Sequence, residues 1–562
     1  MKESIYKVVT SLEDLPNFDL NKPIFSDTET ELLYVGLRLV QLYQPETSEL
    51  VYILDTDIID EELITSYLID KWLVFHNASY DLGTLKIIPN IVDDTQYLLR
   101  NAYPEWQQYS LDNCVVQLNH SNLYEGIDKK EMQKAGFKKG AYLSSRQLKY
   151  SALDCIALSL IWKNQRVQTA RELLVYKVDI LNLRYCANYQ LNGLIPHQPS
   201  VRKELDSIVD IIESNYEALN GLNPNSPKQV KEALNVESSN KETLIKLIQN
   251  GNELAKLVFD QRRLLKKRNF LEQYNYPKVE TRFNPAGAVT GRFTSSGGDL
   301  PRGINSQQIS RGLQYIFNTD TEDTVVIHAD YSTAELRAGC SIMGEPTMYL
   351  ELKEGKDLHK IAATLALGGS PENVTKEERQ KGKAISFGYI FGMSAPSFAE
   401  YAYTNYGVVF TQEQAKEIKD NYVKRYPNIA KYAKYWWNNY NTEYVKTALG
   451  RRAKARLGTD AINFATQGSI AETTKLAVHY LVSENGGLAL NYIYNVVHDA
   501  IYLRVPKGSE REWSDNLVKA MKKAWVEICK RPIFIYKDIP MPVEVEYNDY
   551  SSGEPQYICK EI

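Results

Sequence analysis

The hydrophobic and polar pattern predicts strands and helices that repeatedly end on, or carry, a carboxylate. Pro23-Ile24-Phe25-Ser26-Asp27-Thr28-Glu29-Thr30 reads as a strand on which Asp27 and Glu29, two apart, project from one face. Trp72–Phe75 predicts an apolar strand running into a turn, His76-Asn77-Ala78-Ser79-Tyr80-Asp81, that carries another acid. Residues 147–154 predict a helix with Tyr150 and Asp154 four apart on one side. From about 168 to 280 the pattern is mostly helical, with turn signals at Asn192-Gly193 and Asn223-Pro224-Asn225-Ser226-Pro227. Val325-Val326-Ile327 predicts a buried strand ending at Asp330, and Ser332 with Glu335 forms a capping-box pattern that predicts a helix start. Thr375 and Glu378 make a second such pattern, followed by Arg379, Lys383 and Phe387 at i, i+4 and i+8. Residues 492–497 and 501–505 are β-rich runs around His498-Asp499-Ala500, a hairpin with its acid near the tip.

A chain of 562 residues exceeds one hydrophobic core, and about three to five domains are expected. A net charge of −4 means that any nucleic-acid-binding surface must be local. Six widely spaced cysteines without a C-x-x-C pair argue against a zinc site or a disulfide framework and fit a reducing cytosol. Neither a signal peptide nor a membrane-length apolar run is present, so no membrane association is expected.

The carboxylates change the picture most. Asp27, Glu29, Asp81 and Asp154 with the Tyr150 phenol suit two divalent metal ions that activate water and stabilise a leaving oxygen, because like charges brought close are costly without a cation between them. The 262–268 run pairs Arg262 with Lys266 and Arg263 with Lys267, giving either a phosphate-neutralising ridge on a helix or a solvated helix face. Two cations followed by an aromatic at 379, 383 and 387 suit a grip on a triphosphate and a stack on a base.

These segments resemble, in order and spacing, the three exonuclease motifs of DEDDy 3′–5′ exonucleases and the motifs of family A DNA polymerases. The resemblance covers residues from about 20 to 550. It implies an α/β multidomain chain: a ribonuclease H-like exonuclease domain over 1–167, then a right-hand polymerase. In the polymerase, the thumb would span 168–280, the palm 281–345 and 456–562, and the fingers 346–455. It implies that Asp27, Glu29, Asp81 and Asp154 hold the exonuclease metals while Tyr150 orients water. In the polymerase, Asp330, Asp499 and the backbone of Tyr331 would hold metal, and Glu335 would exclude a ribose 2′-OH. His359, Arg379 and Lys383 would bind phosphates, Phe387 would set dideoxynucleotide discrimination, and Phe391, where Tyr is common, would lie at the nucleotide. Arg292, Asn305, Gln307, Asn463, Gln467 and His498 would contact DNA. Ser386, Thr459 and Ala500 also depart from the usual pattern; the Gly450–Arg456 loop would supply the charge that Thr459 lacks. The resemblance further implies two Mg2+ ions per active site, replaceable by Mn2+, and primer–template DNA and dNTPs as partners. Replisome proteins, a monomeric cytoplasmic enzyme (host cytoplasm if phage-encoded) and a phage-like compact layout complete the expectation. Two rival readings are an exonuclease with a weakened or merely DNA-binding C-terminal half, and a non-catalytic scaffold.

Overall fold

The computed structural model describes residues 4–562, which form two compact units. The larger comprises residues up to Asn192 with Arg282–Ser295 and Glu322–Ile562; the smaller comprises Gly193–Thr281 and Ser296–Thr321.

In the larger unit, six strands form one mixed sheet: β1 (Tyr6–Val9), β2 (Ile24–Leu32), β3 (Val35–Tyr43), β4 (Val51–Asp55), β5 (Trp72–Phe75) and β6 (Ile91–Asp94). Their order is β1-β4-β3-β2-β5-β6. Strand β2 pairs antiparallel with β3 and parallel with β5, so the strand bearing Asp27 and Glu29 is central. Helices α1 (Ala78–Leu85), α2 (Thr95–Ala102) and α3 (Ser145–Trp162) pack on this sheet. The turn expected around Asp81 is in fact α1, entered through Asn77 in the left-handed region at φ 69°. Asp94 explains why a helix starts so abruptly there. Its carboxylate accepts from Ala78 N at 2.8 Å and also from Gln96 N at 2.7 Å, capping α1 and α2 together.

The second sheet of this unit is antiparallel throughout. Helix α4 (Leu174–Tyr189) precedes β7 (Thr324–Tyr331), α5 (Ala334–Met343), α6 (Lys376–Ile390) and α7 (Gly458–Glu484). Strands β8 (Ile493–Val497), β9 (Ala500–Pro506), β10 (Val543–Asp549) and β11 (Gln556–Glu561) complete it in the order β8-β9-β7-β10-β11. Val325, Ile327 and Ala329 are fully buried in the centre of this sheet, as the β-branched run requires. The hairpin expected around His498-Asp499 is present as β8 and β9, with His498 at φ 56° in the tip.

One capping box forms and the other does not. Thr375 and Glu378 cap α6 reciprocally. At α5, Thr333 is the cap residue at φ 52° with no side-chain cap, and Ser332 lies outside the helix. The Glu335 carboxylate binds Arg292 at 2.8 Å instead of returning to the backbone. Arg337 donates to the Ser332 carbonyl at 2.9 Å, holding that turn by other means. Gly382 and Gly388 are packing glycines within α6. A Cβ at Gly382 would sit 1.8 Å from the His359 carbonyl oxygen, and one at Gly388 would sit 2.6 Å from the Phe398 ring.

In the smaller unit, the helix Glu253–Tyr274 carries the basic run, but not as a continuous ridge. Arg262 is spent internally, donating to the Pro224 carbonyl at 2.5 Å and the Ser239 carbonyl at 2.6 Å, and Lys267 pairs with Glu204. Asn305 and Gln307 lie at the helical turn Ser306–Gln308, where the Asn305 side chain accepts from Gln307 N at 3.2 Å. Among the described residues no helix is long and apolar enough to cross a membrane.

Candidate active sites

Acidic groups gather at two places in the larger unit. At the first, β2 supplies Asp27 and Glu29, α1 supplies Asp81, and α3 supplies Asp154 and Tyr150. Asp27, Glu29 and Asp154 each bring a carboxylate oxygen within 4.8 Å of the others. Burial, then the charges of Asp81, Asp154 and Glu29, push the Asp27 carboxyl far above the ordinary carboxylate range. Burial, then Asp154, does the same to Glu29. Asp81 is pushed up to about 8, chiefly by burial, although Thr28 donates to it at 2.7 Å. Four acids this close, Asp81 and Asp154 buried and Asp27 and Glu29 half-buried, repel one another when ionised, so the donor set fits divalent metal ions.

Two residues at this cluster escaped the sequence reading. Lys129 places its ammonium 3.1 Å from Asp154 Oδ1, and Tyr124 donates to the same oxygen at 2.5 Å. Lys129 also lies 3.8 Å from the Tyr124 ring centroid. No local pattern singles out either residue; both reach the cluster through a tertiary fold-back of residues 121–135. Tyr150 is buried, and burial together with Asp154 raises its phenol well above the usual range.

At the second place, Asp330 ends β7 and Asp499 sits at the β8–β9 tip. The Asp499 carboxyl is raised first by burial, then by Asp330 and Glu335, and Arg292 opposes the shift. Tyr331 is buried and donates its hydroxyl to the Met521 carbonyl at 2.8 Å, which anchors the end of β7. Ala500, one of the departures from the family pattern, is buried and pairs with Val497.

Helix α6 brings Arg379, Lys383 and Phe387 onto one stripe. Arg379 is held by Asp357, 22 positions before it, at 2.6 Å. His359 is buried, with Nδ1 3.2 Å from the Ser386 hydroxyl, and burial followed by Arg379 lowers it to about 4, so its imidazole is neutral near pH 7. Phe387 lies at a tilt against the His359 ring, 5.5 Å between centroids. Phe391 is the buried C-terminal cap of α6. Asn463 and Gln467 share one side of α7, four residues apart.

The loop before α7 does not wholly serve as the spare positive charge expected of it. Arg451 is buried on Asp179 at 2.5 Å, together with Lys475 at 2.6 Å, and so fastens the loop and α7 to α4.

Residues 197–550 match DNA polymerase family A, and residues 5–168 match the 3′-5′ exonuclease family. The chain is 30% identical to DNA polymerase I of Aquifex aeolicus over 98% of each protein. It is 25% identical to the thermostable DNA polymerase I of Thermus filiformis over 54% of this chain and 36% of that protein. The fold superimposes with a TM-score of 0.71 on the POL domain of Pol1 from M. smegmatis, solved with DNA primer-template and dNTP, covering 93% of this chain and 94% of that one at 19% identity. The relative matched over its whole span is bacterial, so a compact layout does not by itself point to a phage source.

Proposed function

The chain belongs to DNA polymerase family A, with a 3′–5′ exonuclease domain ahead of its polymerase domain, and we propose that it runs template-directed synthesis and proofreading at two separate acidic centres. The observation that carries this reading is the presence of two distinct groups of mutually repelling carboxylates in one chain, one in each domain. Metal ions, Mg2+ with Mn2+ as a substitute and two at each centre, would supply charge neutralisation and activation of the attacking oxygen. Asp27, Glu29, Asp81 and Asp154 would hold them in the exonuclease, and Asp330, Asp499 and the backbone of Tyr331 would hold them in the palm.

In the exonuclease, Tyr150 orients the attacking water against the scissile phosphodiester. In the polymerase, Arg379 and Lys383 bind the dNTP phosphates, with the neutral His359 ring packed at a tilt against Phe387. Glu335, held rigid by Arg292, blocks the space of a ribose 2′-OH. Arg292, Asn305, Gln307, Asn463, Gln467 and His498 contact the primer–template. The palm spans 281–345 and 456–562, the fingers 346–455 and the thumb 168–280.

A labelled primer–template with Mg2+ tests this directly. With dNTPs the primer is expected to lengthen; with dNTPs withheld it is expected to shorten from its 3′ end. Shortening in both conditions would contradict the polymerase half of the reading, and lengthening without any shortening would contradict the exonuclease half.

A further inference from the structure

The exonuclease carboxylates face a cation that belongs to the chain itself. Lys129 opens the helix Lys129–Ala135 and reaches two acids, Asp112 on the helix Leu111–Gln117 and Asp154 on α3. The two partners are unequal. The Asp112 side chain is 48% exposed, so water screens its share of the pair, whereas that of Asp154 is 7% exposed and that of Lys129 14%. The charge of Lys129 therefore acts mainly inward. Burial leads the rise of Asp27, Glu29 and Asp154 above the carboxylate range, and Lys129 opposes that rise at all three. A lysine that only fastens two helices needs one partner; this one acts on three of the four acids assigned to metal.

Two aromatic rings fix where the ammonium stands. It lies 3.8 Å from the centroid of Tyr124 and 5.1 Å from that of Tyr150, the phenol assigned to the attacking water. Tyr124 in turn donates to Asp154 Oδ1 at 2.5 Å, the same oxygen that Lys129 approaches at 3.1 Å. Two donors on Oδ1 hold the carboxylate against rotation and leave Oδ2 as the oxygen to offer a metal ion. Lysine side chains carry much rotamer freedom. One held by two rings and two carboxylates is already in place when charge builds on a phosphodiester under attack.

We propose that Lys129 is a positioning residue of the exonuclease: it pins Asp154 through Oδ1, presents Oδ2 to the metal ions and adds a permanent positive charge beside them. This deepens the exonuclease half of the reading above and rests on it. Two effects of opposite sign follow. As a cation beside a cation site, Lys129 weakens metal binding; as a positioning group, it speeds hydrolysis.

The test uses full-length protein. Mn2+ binding without DNA is read by electron paramagnetic resonance, with Asp330→Ala present throughout to remove the palm centre. Digestion of single-stranded DNA at saturating Mg2+, and extension of a matched primer, are read without that substitution. Lys129→Met is expected to bind Mn2+ about tenfold more tightly, as loss of a neighbouring like charge predicts. Its kcat for digestion is expected to fall about a hundredfold with KM little changed, and its extension to match wild type. Lys129→Arg, which keeps the charge, is expected to return Mn2+ affinity toward the wild-type value and to recover part of the rate. Mn2+ binding no tighter in Lys129→Met, or digestion as fast as wild type, overturns the proposal. So does Lys129→Arg behaving as Lys129→Met, or loss of extension in Lys129→Met, since either marks a lysine that only holds the fold. If wild-type protein fails to digest single-stranded DNA, the exonuclease reading falls and takes this proposal with it. If wild type digests and any of the overturning results appears, only the Lys129 assignment falls.

Discussion

The charges around Asp179 are fully buried and balanced, whereas those around Asp27, where Asp27 and Glu29 are half-buried, are unbalanced. Around Asp179, two acids (Asp179, Glu472) meet two bases (Arg451, Lys475), and burial alone would raise Asp179, but Arg451 and Lys475 bring it below its usual value. Around Asp27, four acids share one lysine, and every one of the four carboxyls is raised. A balanced cluster fastens elements together; an unbalanced one waits for cations. The difference separates a structural ion network from a working site without reference to conservation.

The comparison breaks most visibly on removal of one acid from each cluster. Asp179→Ala strands two buried cations and is expected to destabilise the protein by ~3–5 kcal/mol in chemical denaturation. A loss well under ~1 kcal/mol would show that the network carries no weight. Asp27→Asn should have the opposite sign. In EDTA it relieves repulsion and is expected to stabilise by ~2 kcal/mol, an effect that disappears or reverses in Mg2+.

Acidity sharpens the same contrast. A carboxyl whose folded value exceeds its unfolded one binds more protons in the native state, so stability falls as pH rises. Asp81 moves from 3.8 to about 8, which sets the window. In EDTA the melting temperature should therefore rise by a few degrees between about pH 8 and pH 5, and Mg2+ should flatten the profile. A profile identical with and without Mg2+ would deny that the acids hold metal. The smallest expected effect is one of selectivity: Glu335→Ala should raise ribonucleotide incorporation about tenfold, or ~1.4 kcal/mol of discrimination. Unchanged incorporation would remove Glu335 from that role.

Much of the scaffold was legible because its signals are local. The period-two placement of Asp27 and Glu29, the Tyr150–Asp154 spacing and the Asp499 hairpin all follow from residues a few positions apart. Long-range partners were not legible. Ser332 and Glu335 match a capping box, yet Arg292, 43 positions before Glu335, takes the carboxylate. Lys129 and Tyr124 reach Asp154 from 25 and 30 positions away with no motif to announce them. Arg262 reads as surface charge, but two carbonyls, 38 and 23 positions before it, accept from its guanidinium. In each case, a polar side chain takes a partner many positions away in the sequence, where no local spacing can announce it.

Separate centres for synthesis and excision are the central claim, and a reciprocal pair of substitutions addresses it most directly. Asp330→Ala and Asp27→Ala would each be measured for extension of a matched primer and for digestion of single-stranded DNA, in Mg2+. Asp330→Ala should lose extension and keep digestion, and Asp27→Ala should keep extension and lose digestion. Loss of both activities in either properly folded variant would contradict two independent centres.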